Sequence, residues 1–331
     1  MLRVAGYPVR RAGKRNQRET YVNQTWTPTG PARRRRPWLR IFLTGLVLWI
    51  ATVVVIFATG SPTLLPTLVL LGSFLVPVTF VSWAFGRRAT DEVTPELLMT
   101  TFLAGGVLGV LAASALESYL LRPSAWLFLG VGLIEEAVKL AALAFLTRHL
   151  TRKTVRDGMV LGAAVGFGFA ALESAGYAFV ALFTTQGLSV VQVVQTEILR
   201  GLLAPVGHGL WTAILGGVLF SPSTREHFRV GGRLLLAYLG VSVLHALWDS
   251  MHAIALLLTL VLTAGGTGQL SASGGIVAPT AQQAALEPVL EWGGLAVVSA
   301  VGLGWLVGLW RSTQRRPAPE VGWRVPIRPP R

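Results

Sequence analysis

The 331-residue chain has no cysteine and little charge, with Asp, Glu, Lys and Arg together making up 13% of it. Zero cysteine excludes a disulfide framework, a thiol nucleophile and any thiolate-held zinc or iron–sulfur site. Soluble domains are about a quarter charged, so this chain, 52% hydrophobic, is not an ordinary soluble domain. Negative charge is the scarcer sign, 15 Asp and Glu against 29 Lys and Arg. An excess of cations can mark a nucleic-acid binder, but such proteins do not carry long apolar runs. No nucleic-acid partner is expected, and the lipid bilayer is the partner that the composition implies.

A hydrocarbon core about 30 Å thick needs roughly 20 apolar residues per helix. Eight runs meet that need, at about 39–59, 63–85, 97–116, 125–147, 158–183, 202–220, 234–262 and 291–310. The expected fold is therefore all-α, a polytopic integral membrane protein of about eight transmembrane helices with a polar cluster inside the bundle. Pro66, Pro77 and Pro205 fall within runs, as lipid-embedded helices tolerate when neighbours satisfy the freed carbonyls.

Cations beside short loops stay cytoplasmic. With eight spans, 26 of the 29 Lys and Arg fall on one side, only Arg122 and Arg200 on the other, and Lys139 inside a span. This predicts a multi-pass plasma-membrane protein with both termini in the cytoplasm. Residues 1–38 are polar and Arg-rich, without the apolar core of a signal peptide, and read as a disordered basic tail. The uncharged segment 264–283 reads as a flexible outer loop. The chain then divides into the tail at 1–38, N-terminal helices at 39–124, a core at 125–262, and the outer loop, last helix and cytoplasmic tail at 263–331.

An ionisable group at the centre of a span costs roughly 2.5 to 3.5 kcal/mol on insertion scales, so each needs a partner or a purpose. Here they cluster. The fourth run holds Glu135, Glu136 and Lys139, the fifth Glu173, the sixth His208, and the seventh His245, Asp249 and His252. Counted from the cation-rich end at 1.5 Å per residue, Glu135, Glu173, His208 and His245 all lie at about 17 to 22 Å. Independent structural pairs have no reason to share a depth, whereas one site built from four helices must. Glu135 and Lys139 are spaced i,i+4 for an ion pair, with Glu136 about 100° away around the helix. His245, Asp249 and His252 fall on one helical stripe, with His252 the more readily a hydrogen-bonded, water-facing group. Small residues recur at every fourth position in the fifth run, at Gly158, Gly162, Gly166, Ala170, Ser174 and Ala178, and such a stripe lets a second helix approach closely.

Glutamate and histidine together at this depth can activate water, ligate Zn²⁺ or relay protons. Gly-x-Ser-Gly, His-Glu-x-x-His and Gly-x-Gly-Asp signatures are all absent, and Asp249 is the one aspartate within a run. What is present is Glu-Glu-x-x-Lys at Glu135/Glu136/Lys139, Phe-x-x-x-Glu at Phe169/Glu173 and His-x-x-x-Asp at His245/Asp249, with His208 between the last two. These motifs, in this order, resemble the PrsW family of intramembrane proteases, related to the CAAX prenyl-protease and bacteriocin-processing group, over roughly 130–252.

The resemblance implies an intramembrane endopeptidase acting on membrane-anchored protein substrates, such as anti-sigma-factor-like regulators. It also implies that Glu135 activates water with help from Glu173. His245 and Asp249 would hold the water or the oxyanion, Glu136 and His208 would support them, Lys139 would be a structural ion-pair partner, and Phe169 would support the motif. The prenyl-protease branch has His in place of Glu173 and Asn in place of Asp249. An ionised Asp cannot donate to an oxyanion, so Asp249 is better read as orienting His245 or binding metal. Two chemistries remain open, a glutamate-type site without cofactor and a Zn²⁺ site drawing on Glu173, His208, His245 and Asp249. The alternatives from other classes are a proton- or cation-coupled transporter, disfavoured by the lack of an inverted repeat, and a non-catalytic membrane scaffold.

Overall fold

A computed structural model describes residues 36–314 except 186, 225–226 and 272–273. The expected basic tail, up to residue 35, and the tail after residue 314 lie outside the described residues. Among the described residues there are ten α-helices: α1 (Pro37–Thr59), α2 (Leu65–Phe85), α3 (Pro95–Leu120), α4 (Leu127–Thr147), α5 (Val155–Ala181), α6 (Val190–Leu203), α7 (His208–Phe220), α8 (Gly232–Asp249), α9 (Met251–Leu262) and α10 (Ala281–Gln314). A two-stranded antiparallel ribbon, β1 (Phe183–Thr184) with β2 (Gly187–Leu188), links α5 to α6.

The fold is all-α and polytopic. Six segments are long and apolar enough to cross a membrane, α6 and α7 together forming one of them, and the bent pair α8–α9 would make a seventh. The count of eight expected from sequence also includes α4, whose 21 residues are interrupted by Glu135, Glu136 and Lys139.

Three boundaries differ from expectation, each for a local reason. The sixth run starts earlier, as α6, and is broken by a 3-10 turn at Ala204–Val206. Pro205 lacks the N–H that would continue the helical ladder, so α7 restarts at His208. The seventh run bends by 61° between α8 and α9. There the Ser250 N–H and hydroxyl both donate to the Ala246 carbonyl, at 3.0 and 2.6 Å, closing the last turn of α8. The expected flexible segment 264–283 is shorter and more structured than its composition suggested. It contains a bridge between Leu270 and Ile276 and ends where Thr280 and Gln283 cap one another reciprocally, so that α10 begins ten residues before the expected 291.

Helix α5 is the axis of the bundle, buried without interruption from Asp157 to Ala171, and α7, buried from Gly209 to Phe220, runs antiparallel to it. Side chains at Gly158, Gly162 and Gly166 would collide with the backbone carbonyls of Gly216, Thr212 and His208 respectively, so the two helices touch backbone to backbone. This is the close approach that the small-residue stripe predicted. On its opposite side α5 meets α3 in the same way, Gly168 lying against the Phe102 carbonyl.

The N-terminus of α5 is capped by Thr154. Asp157 in its first turn accepts from Ala89 N at 2.7 Å and from the Thr90 hydroxyl at 2.9 Å. Glu92 accepts from the backbone of Thr151 and Arg152, at 2.8 and 3.1 Å, and from the Thr151 hydroxyl. These bonds tie the α2–α3 and α4–α5 loops together at the cation-rich end.

Candidate active site

The backbone contact of α5 with α7 fixes what lies beyond it. His208, the first residue of α7, sits over Gly166, and the next turns of α5 bring Phe169 and Glu173 beside it. Helix α4 supplies Glu135, Glu136 and Lys139. It is pressed on α8, where Gly132 packs against the Ser242 carbonyl and the His245 Cβ. The polar groups of α4, α5, α7 and α8 meet in one place, consistent with the common depth estimated from their positions.

Lys139 is at the centre, fully buried. Its ammonium lies 2.5 Å from Glu136 Oε1 and 3.3 Å from Glu135 Oε2, and it donates to His208 Nδ1 at 2.9 Å. Its three hydrogens therefore have three acceptors. The expected Glu135–Lys139 pair forms, but Glu136 at i,i+3 is the nearer partner, because neighbours at three and four residues both lie within reach of a long side chain.

An ammonium can only donate, so His208 accepts at Nδ1 and carries its hydrogen on Nε2, which donates to Glu173 Oε2 at 2.9 Å. His245 is flanked by carboxylates on both nitrogens. Nδ1 is 3.0 Å from Glu136 Oε1, and Nε2 is 3.2 Å from Asp249 Oδ2 and 3.7 Å from Glu135 Oε2. Glu135 Oε2 lies at the same 3.7 Å from His208 Nδ1.

Aromatic rings close the cluster from below. Phe169 lies 5.2 Å from the His208 ring and under the Lys139 ammonium at 4.4 Å, and Trp211 stacks at 4.6 Å on His245. Beside it opens a cleft of about 90 Å³, lined among others by Glu173, His208, Asp249, Trp248, Tyr177 and Arg200. Glu135 and His245 lie behind that lining, with 6% and 1% exposure.

Arg200 was missed by sequence reasoning, which counted it as a plain outer-side cation. It sits on α6, donates to Glu173 Oε2 at 2.6 Å and to the Ser174 hydroxyl at 2.8 Å, and so anchors the same Glu173 oxygen that His208 holds. The signal available was a lone Arg just before a proline-containing span, on a side otherwise almost free of cations. His252, expected on the stripe of His245 and Asp249, is not part of the cluster. The 61° bend after α8 turns it towards α10.

The donor set suits a divalent metal. Glu135, His208 and His245 each present one ligand atom, and these atoms lie within 4.8 Å of one another. His245 keeps Nδ1 on Glu136 and turns Nε2 towards Glu135, as ligating histidines do, whereas the His208 atom that faces Glu135 is Nδ1, so a metal there would take the place of the Lys139 hydrogen bond. The sequence reading put Glu173 and Asp249 in the ligand set; here each pairs with one imidazole, and Glu135 is the carboxylate grouped with both.

Comparison with known proteins bears directly on this arrangement. No solved structure matches the chain. Protease PrsW of Halalkalibacterium halodurans is 25% identical over 168 residues, covering 50% of this chain and 73% of that protein. The family model described as PrsW family intramembrane metalloprotease matches residues 93–269, a span wider than the motifs and one that takes in α3, the helix packed on α5. That match covers more than half the chain and contains every residue of the buried cluster, and the chain belongs to the PrsW family of intramembrane metalloproteases.

Proposed function

We propose that the chain hydrolyses peptide bonds of membrane-anchored protein substrates, with Glu135 taking the proton from the attacking water. The observation that carries this reading is the position of the Glu135 carboxylate, 3.7 Å from an imidazole nitrogen of both His208 and His245, behind a cleft walled by further acids. A carboxylate buried among apolar helices and set beside two imidazoles has the composition of a general acid–base site.

The supporting side chains take separate parts. Asp249 and Glu136 hold the His245 ring from either nitrogen, so that it can orient the water or stabilise the oxyanion. Lys139 neutralises Glu136 and fixes the tautomer of His208. Glu173, clamped by Arg200 and His208, is the second carboxylate of the cleft. Phe169 packs beneath Lys139 and His208. A divalent metal held by Glu135, His208 and His245, of which Zn²⁺ suits the nitrogen and oxygen donors, would supply Lewis acidity and lower the pKa of a bound water. With Glu135 among the residues holding such a metal, Glu173 would be the other carboxylate facing the cleft.

The cation distribution supports a plasma-membrane protein with both termini in the cytoplasm. The family resemblance supports single-span regulators of the anti-sigma-factor type as substrates.

The test is co-expression of a panel of tagged single-span membrane proteins with the wild type and with Glu135→Gln. Loss of a general base lowers the rate by about 10²- to 10⁴-fold, so a cleavage product formed by the wild type should vanish in the variant. Equal processing by both would refute the role of Glu135. Loss of cleavage on chelation, restored by Zn²⁺, is the outcome expected of the metal-assisted form.

A further inference from the structure

A second group of ligand-type side chains lies outside the catalytic cluster. His252 is the second residue of α9, and Glu287 and Glu291 stand one turn apart on α10, so that both carboxylates share a face. His252 Nδ1 is 3.2 Å from Glu291 Oε2 and 3.4 Å from Glu287 Oε1, while His252 Nε2 lies 2.9 Å from the Gly274 carbonyl. The ligand atoms of the three side chains all lie within 4.8 Å of one another. Glu287 and Glu291 fall beyond the residues matched by the family model.

The carbonyl oxygen of Gly274 can only accept, so Nε2 carries a hydrogen and donates to it. That leaves Nδ1 aimed at two carboxylates. A neutral imidazole would present a lone pair to two anions, so the three groups need positive charge among them, as protons or as a metal ion. One proton offsets only one of the two carboxylates, whereas a divalent cation offsets both. The Glu287 oxygen that faces His252 is buried and accepts no hydrogen bond. An imidazole tethered through its far N–H to a backbone carbonyl is also how metal-ligating histidines are oriented. Three atoms no more than 4.8 Å apart leave a midpoint within about 2.8 Å of each, and sub-ångström shifts of these partly exposed side chains bring that to the 2.0–2.2 Å of zinc–nitrogen and zinc–oxygen bonds.

We propose that His252, Glu287 and Glu291 bind a divalent cation of the Zn²⁺ type, which fastens the first turn of α9 to α10. The bend between α8 and α9 lies between this site and Asp249, so the cation would fix the far side of the break whose near side carries His245 and Asp249.

Equilibrium dialysis of the purified full chain against Zn²⁺, with metal content read by mass spectrometry, tests this. The wild type should hold one equivalent more than E287Q/E291Q and one more than His252→Ala. The same difference should persist in a His245→Ala background, so that the inner and outer sites are read separately. An unchanged metal count in E287Q/E291Q overturns the proposal. A second readout needs no substitution: saturating Zn²⁺ should reduce diethyl pyrocarbonate modification of His252 in the wild-type chain at least tenfold. Unchanged modification also overturns it and assigns the positive charge to protons.

Discussion

Replacing Lys139 by methionine keeps most of the apolar stem and removes the charge on which the cluster is built. The ammonium lies 2.5 Å from Glu136 and 3.3 Å from Glu135. At an effective dielectric of about 20 these separations correspond to attractions of roughly 7 and 5 kcal/mol. Desolvation of the ammonium offsets much of that gain, and removing one partner of a buried pair typically costs about 3–5 kcal/mol, because the other charge is left without a counterion. Glu136 is completely buried and Glu135 is 6% exposed, so the stranded charge that matters more is the one on Glu136. Lys139→Met should therefore destabilise the chain by about 3–5 kcal/mol, and adding Glu136→Gln should recover about 2 kcal/mol of this, more than adding Glu135→Gln. Reversible unfolding in mixed micelles, followed by tryptophan fluorescence, measures this, since Trp211 stacks on His245 within the cluster. A Lys139→Met chain within about 1 kcal/mol of wild type, or equal rescue by the two glutamines, would refute the reasoning.

Gly162→Ile places a branched side chain against the Thr212 carbonyl and the Ala213 Cα of α7, where no flexible group can give way. It should cost about 3 kcal/mol or more in the same unfolding assay and abolish cleavage, and wild-type stability would show that the α5–α7 contact is not load-sharing. At the cation-rich end, the hydrogen bonds from Thr151 hold the Glu92 carboxyl below its ordinary value of 4.5. A folded-state pKa below the unfolded one contributes stability that is complete above the ordinary value and lost as pH falls through the lowered one. Amide protection of Thr151 and Arg152, corrected for intrinsic exchange, should thus hold from pH 7 to about 5 and decline below about 4.5, whereas Glu92→Gln should show no such step.

How far the sequence could be read follows from what each signal depends on. Long apolar runs identify a helical membrane protein because every backbone polar group in hydrocarbon must be satisfied within its own segment, and that property belongs to the local sequence. The buried charges are legible for the same reason, since Glu135, Glu136, Lys139, Glu173 and Asp249 stand out against apolar neighbours. The glycine stripe of α5 could be read as a close-packing face without knowing that α7 would fill it.

Helix α6 was not legible, because its 14 residues mix Gln192, Gln195, Glu197 and Arg200 with apolar side chains and so lack the unbroken run of a span. Its burial comes from tertiary contact, as where Glu197 accepts from the Trp49 indole of α1 at 2.7 Å. Arg200 was hidden with it. Nor does spacing along α4 say which carboxylate Lys139 prefers, since i,i+3 and i,i+4 neighbours are both in reach and the choice rests on how α8 and α7 place His245 and His208.

The sequence by itself therefore determined the class of the protein and singled out the charged side chains of α4, α5 and α8 that stand against apolar neighbours, because these depend on periodicity and composition along one chain. Only the tertiary structure decided the pairings of Lys139 with Glu136, Arg200 with Glu173 and His252 with α10. Each of these depends on the rotation and approach of separate helices, set by backbone contacts such as Gly162 on Thr212 and by the breaks at Pro205 and Ser250.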